Sequence, residues 1–232
     1  MNRIARSSLW FVSLLAALQM LPVLGGGSVM QRHSYAQNGP DLGLNAQLLV
    51  AARNDDVVSV RRVLDNGAAP NSRNRAGDTA LMIFVRKGNA DMAALLIDKG
   101  ADVNLGNVEK VSPLMAAAYG GNVKIARMLI EHGANLDATD QLSKTAMVYA
   151  AGQGSYEVVA QLLDAGIDVN KTYHHKLTAL MWAAGYGKNE TVSLLLDRGA
   201  DRSMQDDRGK TAREIAAGAG HPETAAMLER EK

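Results

Sequence analysis

The sequence predicts an all-α solenoid in which short helix–turn–helix units stack side by side. Three observations support this fold class. One pattern recurs every 33 residues, glycine occupies two fixed places within each period, and the residues between those glycines have helical apolar spacing. A unit this short cannot bury its own apolar face, since chains below about 40 residues rarely fold unaided. Stacked units bury these faces against their neighbours.

The period is marked by a hydroxyl-bearing residue at the start of each unit. These residues are Thr79, Ser112, Thr145, Thr178 and Thr211, and one further step back reaches Ala46. A Thr or Ser oxygen at this place can accept hydrogen bonds from the unpaired N–H groups that begin a helix. We therefore predict a domain over 46–232 with repeats that begin near 46, 79, 112, 145, 178 and 211. The first and last repeats are predicted to be polar caps.

Glycines mark the predicted ends of the two helices in each repeat. The first column contains Gly88, Gly121, Gly154, Gly187 and Gly220, and the second contains Gly67, Gly100, Gly133, Gly166 and Gly199. Glycine readily adopts the left-handed backbone conformation that commonly follows a helix. After the second glycine, a polar turn leads to the next repeat, and we predict that it forms a short β-turn or hairpin finger.

The motifs around these columns resemble the ankyrin repeat. Each first helix begins with a sequence such as Thr178–Met181, and each second helix is followed by one such as Gly100–Asn104, at the 33-residue period of that family. The resemblance covers about residues 41–232. It implies an ankyrin-repeat solenoid that binds another protein through the concave face formed by its fingers and first helices. The family's His at the fourth motif position is replaced by Met82, Met115, Val148 and Met181, which predicts a buried apolar ladder.

The N-terminus has the pattern of a secretory signal peptide. Arg3 and Arg6 precede an apolar run over 9–24, and a small-x-small site ends at Ala36. The apolar run is shorter than the about 20 residues that span a bilayer. We therefore expect cleavage after Ala36, with Gly27 as the alternative, and no stable membrane anchor in the cleaved protein.

This assignment divides the chain into a signal peptide (1–36), a lead-in (37–45) and the repeat domain. It predicts a periplasmic or secreted location. The formal net charge of +1 includes three arginines and no acid in the first 36 residues, so the remainder is slightly acidic and nucleic acid is not the expected partner. The sequence has no cysteine, which excludes disulfides, thiolate catalysis and Cys-ligated zinc.

Residues that the scaffold does not need are the candidates for partner binding. They lie in the fingers and along the first helices, where ankyrin repeats bind, and comprise Tyr119, Tyr149, Tyr173, His174, His175, Leu177, Trp182 and Tyr186. Tyr and Trp often anchor interfaces, and apolar side chains exposed in a turn cost solubility unless they are used. For Tyr149 and Trp182 the alternative is that they fill gaps between repeats.

We predict a monomeric, non-enzymatic binding protein without a metal or cofactor, because the sequence has no nucleophile, phosphate-loop or dinucleotide motif. Resemblance to small exported bacterial ankyrin-repeat proteins implies a periplasmic scaffold that supports an exported enzyme or an envelope stress response. One alternative is a secreted effector that binds host proteins. Another is a metal-binding protein that uses His174 and His175.

Overall fold

The computed structural model describes residues 43–229, so the predicted signal peptide and most of the lead-in lie outside the described residues. The described part contains twelve α-helices, one 3-10 turn (His174–Lys176) and no strand beyond an isolated antiparallel bridge between Thr172 and Thr178. The helices are α1 (Leu44–Arg53), α2 (Val57–Asp65), α3 (Ala80–Arg86), α4 (Ala90–Asp98), α5 (Pro113–Tyr119), α6 (Val123–Glu131), α7 (Ala146–Gln153), α8 (Tyr156–Asp164), α9 (Ala179–Gly185), α10 (Asn189–Asp197), α11 (Ala212–Gly218) and α12 (Pro222–Glu229).

These helices form two layers. Each first helix (α1, α3, α5, α7, α9, α11) contacts its own second helix and the first helices of the adjacent repeats. From α4 onward, the second helices contact one another in the same way. The predicted all-α solenoid is therefore confirmed. We number its repeats 1 (46–78), 2 (79–111), 3 (112–144), 4 (145–177), 5 (178–210) and 6 (211–232).

The first helices of repeats 2 to 6 begin at the predicted Thr or Ser. The Thr79 Oγ1 accepts from the Met82 N–H at 3.2 Å, and the Thr178 Oγ1 accepts from the Met181 N–H at the same distance. Repeat 1 differs, since its first helix already begins at Leu44. Ala46, at the place of the Thr or Ser of the other repeats, has no side-chain oxygen that could cap a helix start.

Both glycine columns have the predicted left-handed backbone, with positive φ at every member. Gly187 shows a second constraint that acts between repeats. Its φ is 64°, and a Cβ on this residue would lie 2.6 Å from the His221 Nδ1 of the next repeat. Only glycine fits this place, because a side chain would clash as well as strain the backbone.

The core lies between the layers and between successive repeats. The predicted apolar ladder is confirmed, because Met82, Met115, Val148 and Met181 are all buried. Alanine pairs such as Ala150 and Ala151 have no exposed surface, which lets adjacent first helices approach closely. Each repeat thus provides half of a core that only its neighbour completes.

Asparagine side chains join successive repeats on their loop side. Asn104 donates from its Nδ2 to the Gly133 carbonyl at 3.1 Å and accepts from the Asn135 N–H at 2.7 Å. Asn71 and Asn170 make the same two bonds, to repeats 2 and 5. Since each side chain satisfies two backbone groups of the next repeat, these bonds fix the register between neighbours.

This asparagine ladder is interrupted between repeats 3 and 4. The equivalent residue there is Asp137, whose carboxylate has no N–H to donate to the Gly166 carbonyl. Its Oδ1 instead pairs with the Lys171 Nζ at 2.7 Å, and both side chains are substantially exposed. Exposed ion pairs typically contribute only about 0–1 kcal/mol. The junction between repeats 3 and 4 is therefore less firmly tied on this side than those around it.

We predict that Leu162→Ala lowers the free energy of unfolding by about 2–5 kcal/mol, because Leu162 has no exposed surface and its removal leaves a cavity in repeat 4. Urea denaturation followed by circular dichroism measures this change. Leu142→Ala is the matched control, since that side chain is 53% exposed and should change stability by less than about 0.5 kcal/mol. Equal effects of the two substitutions would contradict the assigned core.

Candidate functional site

Five fingers end repeats 1 to 5: finger 1 (73–78), finger 2 (106–111), finger 3 (139–144), finger 4 (172–177) and finger 5 (205–210). In four of them an Asn or Asp side chain caps the turn. In finger 3, for example, the Asp140 Oδ1 accepts from the N–H groups of Leu142 at 2.8 Å and Lys144 at 2.9 Å. Finger 4 has Tyr173 at this place, so it lacks the carboxylate or amide oxygen that caps the others.

The missing cap changes the backbone of finger 4. Fingers 2, 3 and 4 each have a left-handed residue at the same place (Lys110, Ser143, Lys176), but finger 4 has a second one, His175, with φ of 60°. Left-handed backbone at a residue other than glycine is uncommon and costs free energy. Finger 4 is thus the irregular member of the row.

The row of fingers also has an interruption. Backbone hydrogen bonds join fingers 1 and 2 (Val108 N–H to Ala76 carbonyl), 2 and 3 (Gln141 to Glu109), and 4 and 5 (Asp207 to His175), at 3.0–3.1 Å. Within residues 43–229, no such bond joins fingers 3 and 4. This is the same junction at which the asparagine ladder is interrupted.

Tyr173 lies at that junction. Its ring is half-buried, and its hydroxyl is removed from solvent. Burial raises the pKa of the Tyr173 hydroxyl above its usual value, and the nearby Asp137 carboxylate adds to this rise, while the Thr145 side chain opposes it. The phenol therefore stays protonated at neutral pH, and the side chain contributes mainly by packing against its neighbours.

Aromatic rings of repeats 3 and 4 meet beside these fingers. The Tyr119 and Tyr149 rings lie edge to face, with centroids 6.0 Å apart. The Tyr149 hydroxyl donates to the Asp140 Oδ2 at 2.5 Å, and burial, followed by this contact, raises the pKa of Tyr149. Tyr149 is thereby held in place, whereas Tyr119 is 37% exposed.

Two further rings extend the cluster into repeat 5. Trp182 and Tyr186 are nearly parallel, with centroids 6.2 Å apart. The Lys144 Nζ lies 5.4 Å from the Tyr149 ring centroid and 5.8 Å from that of Trp182, so it bridges the two pairs of rings. We call these five residues (Tyr119, Lys144, Tyr149, Trp182, Tyr186) the ring patch.

The structure corrects part of the predicted binding surface. Leu177 is only 8% exposed and belongs to the core, because it directly precedes the N-cap Thr178 and turns inward. Tyr173, which was predicted to be an exposed finger residue, is half-buried. Trp182 is 9% exposed, which supports the alternative that it fills a gap between repeats. Lys144 was not predicted, since a lone lysine before a helix gives no sequence signal of a ring contact.

The two histidines of finger 4 are exposed, as predicted, and they contact each other and Asp207. His174 and His175 have ring centroids 3.9 Å apart, and the His175 Nδ1 contacts the Asp207 Oδ2 at 2.6 Å. Among residues 43–229, no group of three or more His, Asp or Glu side chains is arranged to hold a metal ion.

Over the same residues, no helix has the length and apolar character needed to cross a membrane.

Comparison with known families supports the motif assignment. The model of ankyrin repeats, which covers three copies, matches residues 48–140, 105–173 and 148–231. No curated protein matches the chain. The matched segments overlap and together span the two-layer stack from its first helix to its last. The chain therefore belongs to the ankyrin-repeat family and is a protein–protein interaction scaffold.

Proposed function

We propose that this protein is exported and binds one partner protein through its finger face, the surface formed by the fingers and the adjoining side of the first helices. The observation that carries the proposal is the ring patch, which combines an exposed tyrosine, a stacked pair of rings and a lysine across repeats 3 to 5. Aromatic side chains bury a large area at low conformational cost, which is why they anchor interfaces.

Comparison of the repeats supports a binding role for the rings. The place of Tyr149 is occupied by Ile83, Ala116 and Ile215 in repeats 2, 3 and 6 and by a second ring, Trp182, in repeat 5, and the place of Tyr119 by Arg86 or glycine. Those repeats form the same helices, so the stack does not require a ring at either place. A feature that the scaffold can do without is more readily explained by recognition of a partner.

The absence of catalysis is also part of the proposal. The recurring acids Asp102, Asp168 and Asp201 each accept from the backbone N–H two residues further on, at 2.8–2.9 Å. Such bonds cap turns and account for these carboxylates structurally. Two other functions are compatible with the sequence. A metal-binding protein gains no support from the His175–Asp207 pair. A secreted effector that binds host proteins would use the same finger face.

We predict that Tyr119→Ala combined with Tyr186→Ala weakens partner binding at least about thirtyfold, as expected when interface anchors worth about 2 kcal/mol are lost. Proteins retained by the immobilised chain from cell extract are identified by mass spectrometry, and the affinity of the retained partner is then measured by calorimetry.

The matched control is Tyr156→Ala, because Tyr156 is 39% exposed, close to the 37% of Tyr119, but begins the second helix α8. This control should retain the partner at full strength. Both variants should keep the cooperative thermal transition of the parent. If the double variant binds normally and Tyr156→Ala does not, the binding surface lies on the second-helix layer.

Export is proposed from the sequence of residues 1–36 alone. We expect the protein recovered from periplasmic fluid or medium to lack these residues, as measured by intact mass and N-terminal sequencing. Replacement of Leu14 by Arg should block processing, because a charge within the short apolar run opposes its insertion. Recovery of only the full-length chain from the cytosol would contradict the proposed location.

A further inference from the structure

We infer that the partner segment that binds the ring patch is an acidic, extended peptide, and that one of its carboxylates pairs with Lys144. This inference rests on the proposed function, whose binding surface it specifies further. Three observations carry it: the surroundings of the Lys144 ammonium, the distribution of charge between the two sides of the stack, and unpaired backbone groups beside Lys144.

Lys144 is half-buried, and its ammonium makes no ion pair within the described residues. Within the described residues its Nζ has no hydrogen-bond acceptor and lies over the Tyr149 and Trp182 rings. Burial lowers the pKa of Lys144, and the Asp140 charge opposes this effect only in part. Asp140 is itself engaged, since its Oδ2 accepts from Tyr149 and its Oδ1 caps finger 3. A partly desolvated ammonium with this geometry is best satisfied by a carboxylate supplied from outside.

Charge is distributed unevenly between the two sides of the stack. The finger and first-helix segments (73–87, 106–119, 139–153, 172–186 and 205–219) hold 10 basic and 6 acidic residues, whereas the rest of 43–229 holds 10 basic and 16 acidic residues. Most of the acids in the first set are already engaged, as in the Asp78–Arg86 pair at 2.9 Å and the Asp206–Arg208 pair at 2.6 Å. The finger face therefore attracts acidic segments, and the opposite side repels them.

Unpaired backbone groups favour a peptide over another polyanion. Since fingers 3 and 4 share no backbone bond, the Leu142 carbonyl and the His174 N–H have no backbone partner within the described residues. Leu142 belongs to the same finger as Lys144, and His174 belongs to the next finger in the row. An extended peptide can bond to both groups while its side chains contact the rings, as in strand addition to an open edge. A nucleic acid lacks the backbone N–H and C=O groups with which an extended peptide can bond to both.

The experiment selects peptides from a displayed library of random linear sequences on the immobilised intact chain. We expect Asp- and Glu-rich peptides to be enriched and to be released by high salt. A synthetic copy of an enriched peptide, and a second copy with Gln in place of each Glu and Asn in place of each Asp, are then titrated by fluorescence anisotropy. The neutral copy should bind at least about tenfold more weakly.

Protein variants locate the contact. Lys144→Met should lower the affinity for the acidic peptide about tenfold, and Lys144→Arg should retain most of it. Lys110→Met is the matched control, because Lys110 is an exposed finger lysine outside the ring patch and its loss should have a smaller effect. If Lys144→Met does not fold, the comparison of acidic and neutral peptides on the unmodified chain still decides the question.

Enrichment of neutral or basic peptides that depend on Tyr119 would overturn this inference and leave the proposed function intact. Equal affinity of Lys144→Met and the parent for the acidic peptide would also overturn it. Stronger binding of a single-stranded DNA oligonucleotide than of the acidic peptide would favour a nucleic acid and contradict both proposals. Enrichment of no peptide above the empty surface would overturn the inference alone, because a folded partner is not represented in a library of linear sequences.

Discussion

Contact between neighbouring repeats is the constraint on which the rest of this structure depends. A single repeat offers two short helices with one apolar side, and in the stack, where first helices of adjacent repeats are in contact, the Met82, Met115 and Met181 side chains are buried. The 33-residue register follows from this requirement, because the Gly187–His221 approach and the Asn104 bonds to repeat 3 fail after any shift. Stability is then approximately a sum of repeat and junction contributions.

The junctions are not equivalent, and the candidate site lies where they differ. Between repeats 3 and 4, Asp137 replaces the bridging asparagine, and Tyr173 replaces the capping residue of finger 4. The first replacement removes the two side-chain bonds that asparagine makes at the junctions on either side, and the second removes the cap within finger 4, where His175 adopts a left-handed backbone in addition. Departures from a local rule are expected at functional sites, where stability is given up for recognition. The ring patch spans this junction through the Tyr119–Tyr149 contact and extends to Trp182 and Tyr186.

The sequence predicts most of the scaffold because its determinants are local and repeated. The caps at Thr79 and Thr178, the positive φ of the glycines and the apolar ladder each follow from a residue and its position in the period. Repeat 1 departs from this rule, since α1 begins at Leu44 and the place of the capping Thr or Ser is occupied by Ala46.

The site was predicted less well, because side-chain contacts between repeats decide it. Tyr119 and Tyr186 could be chosen by residue type and place in the repeat. The burial of Leu177 and the half-burial of Tyr173 depend on how finger 4 turns, which in turn depends on the missing cap. Lys144 contacts two rings from different repeats, at positions 149 and 182. The spacing of these three residues along the chain does not predict that they are in contact.

The central claim is that bonds between repeats set the stability of the stack and that the junction between repeats 3 and 4 lacks the two asparagine bonds of the junctions on either side of it. The most direct test is the free energy of unfolding of two reciprocal variants, measured by urea denaturation. Asp137→Asn should raise it by about 1 kcal/mol, because the amide can reach both the Gly166 carbonyl and the Asp168 N–H. Asn104→Asp, the reverse change at the preceding junction, should lower it by a similar amount. Changes of the same sign in both variants, or no change in either, would contradict the claim.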